Sequence, residues 1–598
     1  MRTNSSVCYL PIALTYLFLV ILSMASGCSS PEKSQNILDT SVYTSVFGKN
    51  VLVFDNSMDM DHIRETLHAL HQQQQYNEFG SERYALLFKP GNYDLDVTVD
   101  YYVQALGLGR YPGDVVINGS VQSITTTSGN GVANKVTTMF WRGAENFKVV
   151  PKDNKMIYWA VSQAAPYRRM HVAGDINFDK GSWASGGLLA NSLVEGRAGL
   201  TSGQQWLTRN SKITSWEGGN WNRVFVGVEG APGDLWPDKP TTVIDKTPVI
   251  REKPFLTLTG AGDYAVFVPS LQRETSGPTW INSDEKGELL PITSFYITDP
   301  EKDNAASINQ ALAAGKNMLF TPGIYELDET LAITKPNTII LGLGLPTLIP
   351  QNGMVALRTA DVPGIIMAGF MVDAGPVLSP TLIQIGSEGS DVSFPDNPIS
   401  LHDIYCRVGG AVVGKAETAL TINSNHVIGD HFWLWRADHG VGTEWMEGQN
   451  KHGLVVNGDH VTIYGLFNEH FQSYQTLWRG EYGSTYFYQS EIPYHPPSFE
   501  QWNDNGKPGW ASYKVEDFVQ YHEAYGLGIY SFFSGEPTVS NKVRLENAME
   551  VPDNPGIVIT HIATFAGLNG GINHPINGFG PATEIRELKL YTGFKGGR

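Results

Sequence analysis

Two stretches far apart in the chain carry the same ordered set of features, and this duplication limits the possible folds more than any other property of the sequence. The first reads DMDHIRETLHAL…ALLFKPGNYDLDVTVDYYVQALGLG and the second DNAASINQALAAGKNMLFTPGIYELDETLAITKPNTIILGLG. In each, a short amphipathic helix (apolar Ile63, Leu67 and Leu70; Ile308 and Leu312) precedes an apolar strand that ends in a Pro-Gly turn. Phe88-Lys89-Pro90-Gly91 answers Phe320-Thr321-Pro322-Gly323, Tyr93-Asp94-Leu95-Asp96 answers Tyr325-Glu326-Leu327-Asp328, and an LGLG segment closes each unit. A duplicated pattern marks a duplicated structural unit. The chain of 598 residues has room for two cores, since one core seldom grows past about 250–300 residues.

After each header come short runs of Val, Ile, Leu and Thr broken by Gly, Asn and Asp, as in LTINSNHVIGDHFWLWRADHG and HGLVVNGDHVTIYGLFNEHF. Short strands at coil-length spacing, with no helices between them, predict an all-β chain of two tandem right-handed parallel β-helix domains of pectate-lyase-like type. The expected division is a leader at 1–28, a linker at 29–46, an N-terminal β-helix at 47–290 and a C-terminal β-helix at 291–598 that carries the main chemistry.

Within NEHFQSYQTLWRGEYGSTYFYQSEIPY, Glu469 and Glu491 stand 22 residues apart. A coil of roughly two dozen residues would stack them on successive turns at the strand spacing of about 4.8 Å, in one groove if both side chains point outward. Two adjacent carboxyls cannot both ionise cheaply, so one keeps its proton near neutral pH, the division of labour that glycosidic cleavage uses. Tyr474, Trp478, Tyr486, Tyr488 and Tyr494 are candidates to stack on sugar rings, and Trp206, Trp216, Trp221, Trp433 and Trp435 make a second aromatic region. Asp438 and Glu444 are alternative acids; Arg436 and Asp438 also suit a turn-locking ion pair.

The formal net charge of −18 gives a surface that repels phosphate backbones and excludes a nucleic-acid partner. Cys406 is alone in the body of the chain, and no CxxC, HExxH or calcium-loop pattern occurs, so neither a cofactor nor a metal is expected. The start, MRTNSSVCYLPIALTYLFLVILSMASGCSS, reads as a secretory leader. Its ASGC end resembles a bacterial lipobox, which implies lipidation at Cys28, an outer-membrane or cell-surface/periplasmic location, and membrane attachment through the lipid alone. A monomer is expected.

The tandem headers and the EH…SEIPY segment resemble glycoside hydrolase family 55, exo-acting β-1,3-glucanases made of two β-helix domains, from about residue 45 to the C-terminus. The resemblance implies that Glu491, in SEIPY, is the general acid and that Glu469, in NEHF, is its partner one coil earlier. It also implies inversion, with water held by Gln163 in WAVSQAAPYRRMHV and Ser185 in WASGGLLA, although Ser182 could take the serine's place. Tyr474, Trp478, Tyr494, Trp433, Trp435 and Asp438 then become expected substrate contacts. Ile492 stands where that family has threonine, and the tryptophan-rich segments place the chain in a divergent bacterial branch. Two other readings stay open: a polysaccharide lyase using Lys514 or Arg479, and a glycan-binding surface lipoprotein without catalysis.

Overall fold

The computed structural model describes residues 45–124, 136–498, 500–534 and 543–597. The leader, Cys28 and nearly all of the 29–46 segment lie outside the described residues. Among the described residues, no helix is long and apolar enough to cross a membrane.

Each half is a stack of parallel coils. In the N-terminal half, a nine-stranded parallel sheet runs from Val51–Phe54 to Thr241–Ile244, and a second sheet lies along the coils' other side. Antiparallel pieces between Thr247 and Pro291 follow, including Phe255–Leu258 paired with Tyr264–Pro269. The C-terminal half then builds a 13-stranded and a nine-stranded sheet, closed by Glu587–Lys595 running antiparallel to Gly556–Ala566.

The two headers fold alike. The helices α1 (Met60–Gln74) and α2 (Ala305–Ala313) are N-capped by the Asp59 and Asn304 side chains, which satisfy first-turn N–H groups that otherwise lack partners. Their apolar faces, Ile63, Leu67 and Leu70 in one and Ile308 and Leu312 in the other, are buried. In the Pro-Gly turns, the Tyr93 hydroxyl donates to the Lys89 carbonyl at 2.8 Å and the Tyr325 hydroxyl to the Thr321 carbonyl at 3.0 Å. Each tyrosine also meets its strand's phenylalanine edge to face, Phe88 at 5.3 Å and Phe320 at 5.2 Å. The duplication therefore reaches down to single hydrogen bonds.

One column of residues shapes the C-terminal stack. Gly369, Asp403, His431, Gly465, Phe487, Gly526 and His561 stand level on successive strands and all have positive φ, between 50° and 75°. For non-glycine residues this conformation costs about 1 kcal/mol or more. It bends every strand at the same level, so the face a side chain takes after the bend is shared by all coils. At Gly526 an added Cβ would lie 2.2 Å from Val224 Cγ2 of the N-terminal half, so packing as well as φ requires glycine.

The halves meet along this bent sheet. Trp141, Leu207 and Val224 of the first pack with Trp433, Tyr464, Phe467 and Phe487 of the second. Beside this apolar seam lies a buried ionic network. Arg168 donates to Asp403 and Asp430, Arg209 to Asp430 and Glu252, and Lys253 to Glu145 at 2.6 Å. Buried charges survive only when paired this thoroughly, and removing one partner leaves another uncompensated.

Candidate active site

After the bend, alternation along each strand sends the same positions outward. The register pairs Asp373 with Arg407, Arg407 with Trp435 and Trp435 with Glu469; Glu491 pairs with Tyr530 and Tyr530 with Phe565. Glu469 and Glu491 are joined through the neighbouring backbone, where His470 N–H donates to the Glu491 carbonyl at 2.7 Å. The two carboxyls are therefore consecutive members of one outward column. Facing it are the turns that lead into successive strands of the N-terminal sheet. Their register continues through Gln163, Ser185, Gln204 and Trp221. Between the two columns lies a cavity of about 830 Å³ lined by all of these residues from Gln163 to Trp221 and from Trp435 to Phe565.

Glu469 is 2% exposed and spans the two halves: Oε1 accepts from Gln163 Nε2 at 2.7 Å, and Oε2 from Trp433 Nε1 at 2.8 Å. Glu491 accepts from the Tyr494 hydroxyl, and Gln489 Nε2 lies 3.3 Å from its other oxygen. Burial, followed by the charge of Glu491, pushes the Glu469 carboxyl well above the ordinary glutamate range, against the donors Trp433, Gln489 and Gln163. Burial also lifts Glu491 to about 7, opposed by the Tyr494 hydroxyl and reinforced by Asp438. Two carboxyls that both resist ionisation, side by side in an aromatic cavity, are suited to proton transfer near neutral pH.

Asp438 is at the cavity wall with Oδ1 2.9 Å from His439 Nδ1, and His439 Nε2 lies 2.6 Å from Glu78 Oε1 of the N-terminal half. Burial works against an ionised Asp438, but the His439 hydrogen bond holds it below the ordinary aspartate range. His470, fully enclosed, is pushed down to about 4 by burial.

Gln163, Ser185, Trp433, Trp435, Asp438, Glu469, Glu491 and Tyr494 are thus brought together. Ser185, not Ser182, lines the cavity. Four of the expected aromatic contacts are elsewhere. Trp478 is in the core of the C-terminal solenoid, on a strand of the opposite sheet. Tyr474 lies beyond the same coil's turn, bonded to Asp504 and edge-on to Trp510. Tyr488 is also core, and Tyr486 stacks between Tyr464 and Tyr525 in a ladder. Aromatic composition alone does not say which face of a coil each ring takes. Trp206 and Trp216 likewise stack on Phe178 inside the N-terminal half, leaving Trp221 at the cavity. Arg436 makes no ion pair with Asp438; its guanidinium serves the carbonyls of Thr443, Glu444 and Gly448. Lys514 and Arg479, the bases a lyase would need, are paired with acidic side chains outside the cavity.

The sequence reading missed Phe140, Trp183, His439, His470, Tyr530 and Phe565. Tyr530 follows Glu491 by 39 residues because an insertion lengthens that coil, which hides its place in the column. Trp183 is 57% exposed at the cavity and stands edge-on to Trp221.

Residues 295–491 match the family model described as the LAM55 pectate lyase-like domain. Over 540 residues the chain is 44% identical to an exo-beta-1,3-glucanase of Streptomyces sp. (strain SirexAA-E / ActE), covering 90% of this chain and 87% of that one. A glucan 1,3-beta-glucosidase of Cochliobolus carbonum is 22% identical over 330 residues, 45% of this chain and 42% of the relative. The solved structure of sacteLam55A from Streptomyces sp. SirexAA-E superposes with a TM-score of 0.88 at 42% identity, covering 92% of this chain and 99% of the other. A variant of that enzyme with one glutamate replaced by alanine, solved in complex with glucose, superposes equally well. Fold, site and relatives together define a glycoside hydrolase built on two parallel β-helices. The chain belongs to glycoside hydrolase family 55.

Proposed function

We propose that the protein releases sugar from the end of β-1,3-glucan chains with inversion at the anomeric carbon. The observation that carries this reading is the placement of Glu469 and Glu491: consecutive in one column, both pushed toward neutrality, with Glu469 tied to Gln163 across the cavity. Glu491 is the general acid and gives its proton to the glycosidic oxygen as the bond to the anomeric carbon breaks. The attacking water is held on the N-terminal side by the Gln163 carbonyl oxygen and the Ser185 hydroxyl. Its oxygen bonds to the anomeric carbon and its proton passes toward Glu469, whose two oxygens accept N–H bonds from Gln163 and Trp433 that support a carboxylate there against the upward pull of burial and of Glu491. Trp183, Trp221, Trp433 and Trp435 supply apolar faces for the sugar rings.

The substrate assignment is supported by the 44% identical relative named as an exo-beta-1,3-glucanase. Export and lipidation at Cys28 remain part of the proposal on the strength of the leader sequence, and loss of radiolabelled palmitate in Cys28→Ser tests them. The test of the reaction is proton NMR of laminarin during the first turnovers: glucose or short glucans appearing as the α-anomer support the reading, and the β-anomer or no product overturns it.

A further inference from the structure

Both ring nitrogens of His439 face carboxylate oxygens, Asp438 Oδ1 at 2.9 Å and Glu78 Oε1 at 2.6 Å. A neutral imidazole has one N–H and can donate to only one of them, so this arrangement requires the doubly protonated ring. The two carboxylates come from different halves of the molecule. Glu78 sits just past helix α1, and its position is fixed because the Tyr102 hydroxyl donates to its carbonyl at 2.6 Å. Phe79, next in sequence, lies parallel to Trp435 at 6.4 Å and 5.5 Å from the His439 ring, so the cation is packed between aromatic rings that also back the cavity wall.

We propose that Glu78 and His439 are a positioning pair, holding the Asp438 carboxylate ionised and aimed into the cavity as the acceptor for hydroxyls of the terminal sugar. This rests on the glucan-hydrolase reading above. The Oδ1 atom of Asp438 is taken by His439, which leaves Oδ2 for the cavity. The other charged or titratable groups facing Asp438 do not replace the pair. Arg436 and Glu444 belong to its own turn, and the Arg436 guanidinium is engaged by backbone carbonyls. His470, from the next coil, is neutral above about pH 4 through burial. Glu469, from the same coil as His470, and Glu491 and Tyr494, from the coil beyond, contribute negative charge or none. His439, raised to about 10 by its two carboxylate bonds against the pull of burial, is therefore the counter-charge across the working pH range. An ionised Asp438 also favours the proton on Glu491, so the pair acts on the acid as well as on the sugar.

The two partners predict different signatures. Without the cation, Asp438 loses its charge at a higher pH, so His439→Gln weakens sugar binding on the acid side. Glu78→Gln keeps the shape and an acceptor oxygen, but His439 then gives up its proton at a lower pH; Asp438 is already ionised there without help, so the change is read on the His439 ring and not in sugar binding. The experiment is calorimetric titration of a β-1,3-linked glucose trisaccharide into Glu491→Gln protein, which binds without turnover, from pH 4.5 to 9. Added His439→Gln should raise Kd by up to about tenfold at pH 4.5 with recovery toward pH 8, the effect of shifting one titration by about two pH units. Added Glu78→Gln should leave Kd nearly unchanged from pH 5 to pH 8. Nitrogen-15 NMR of labelled histidine, which needs no ligand, should show His439 as imidazolium at pH 8 in the wild type and neutral in Glu78→Gln. A pH-independent weakening in His439→Gln of the kind a mere strut would give, a neutral His439 in the wild type at pH 8, or an imidazolium kept at pH 8 in Glu78→Gln would each overturn the pair. Wild-type protein inert on laminarin would instead overturn the substrate reading.

Discussion

Replacing Glu491 with glutamine should make the protein more stable above neutral pH even as it removes activity. Burial raises the folded-state Glu491 value to about 7 from an ordinary 4.5. Below pH 4.5 the carboxyl is protonated folded or unfolded, and the group costs nothing. As pH climbs through that interval the unfolded chain releases the proton while the folded chain keeps it, so stability falls with pH until the folded group also ionises near 7. At about 1.4 kcal/mol per pH unit the penalty above pH 8 reaches about 3 kcal/mol, and sharing of charge with Glu469 and partial opening to the cavity reduce it toward about 1–2 kcal/mol. Glutamine keeps the shape and cannot ionise. Unfolding entropy of about 2.1 cal/mol/K per residue over 598 residues turns this into a rise in Tm of about 1–2 °C at pH 8 and about zero at pH 4.5. Calorimetric melts of both proteins at both pH values are the assay. An equal Tm difference at the two pH values, or a variant less stable than wild type at pH 8, would refute the argument that Glu491 is held protonated at a cost.

Other perturbations separate site from scaffold. Tyr494→Phe removes a donor that favours the charged form of Glu491, so the alkaline limb of kcat should move upward by as much as about one pH unit; an unchanged or lowered limb counts against the contact. Asp430→Asn leaves Arg168 and Arg209 underpaired in the seam between the halves and should cost about 3–5 kcal/mol, seen as a drop in Tm of about 2–4 °C. Trp478→Ala should destabilise by about 3–5 kcal/mol with KM for glucan within about twofold of wild type, since the ring fills the solenoid core; a large KM effect with little loss of Tm would return it to the sugar site.

What the sequence disclosed was local chemistry and unbroken spacing. The headers could be read because a Pro-Gly turn and the tyrosine that closes it lie within a few residues of each other. Glu469 and Glu491 could be read because no insertion separates their coils, so 22 residues make one turn of the stack. Tyr530 and Phe565, in the same column, escaped because loops lengthen their coils. Trp478 and Tyr474 were misplaced because a coil has several faces and composition does not say which one a ring takes. The ionic seam was out of reach altogether: Arg168 meets Asp403 and Asp430 across 235 and 262 residues of chain, and nothing in either segment encodes its partner. His439 was hidden in the same way, since Glu78 lies 361 residues away.

If Glu491 protonates the departing sugar oxygen, its loss must cost most where the leaving group is a poor one. Laminarin needs that proton, whereas an aryl β-glucoside with a strongly acidic phenol departs without one. The measurement is kcat/KM of wild type and Glu491→Gln on both substrates. The expected loss is about two orders of magnitude or more on laminarin and less than about fivefold on the activated glucoside. Equal losses on both, or no loss on laminarin, would rule out Glu491 as the general acid.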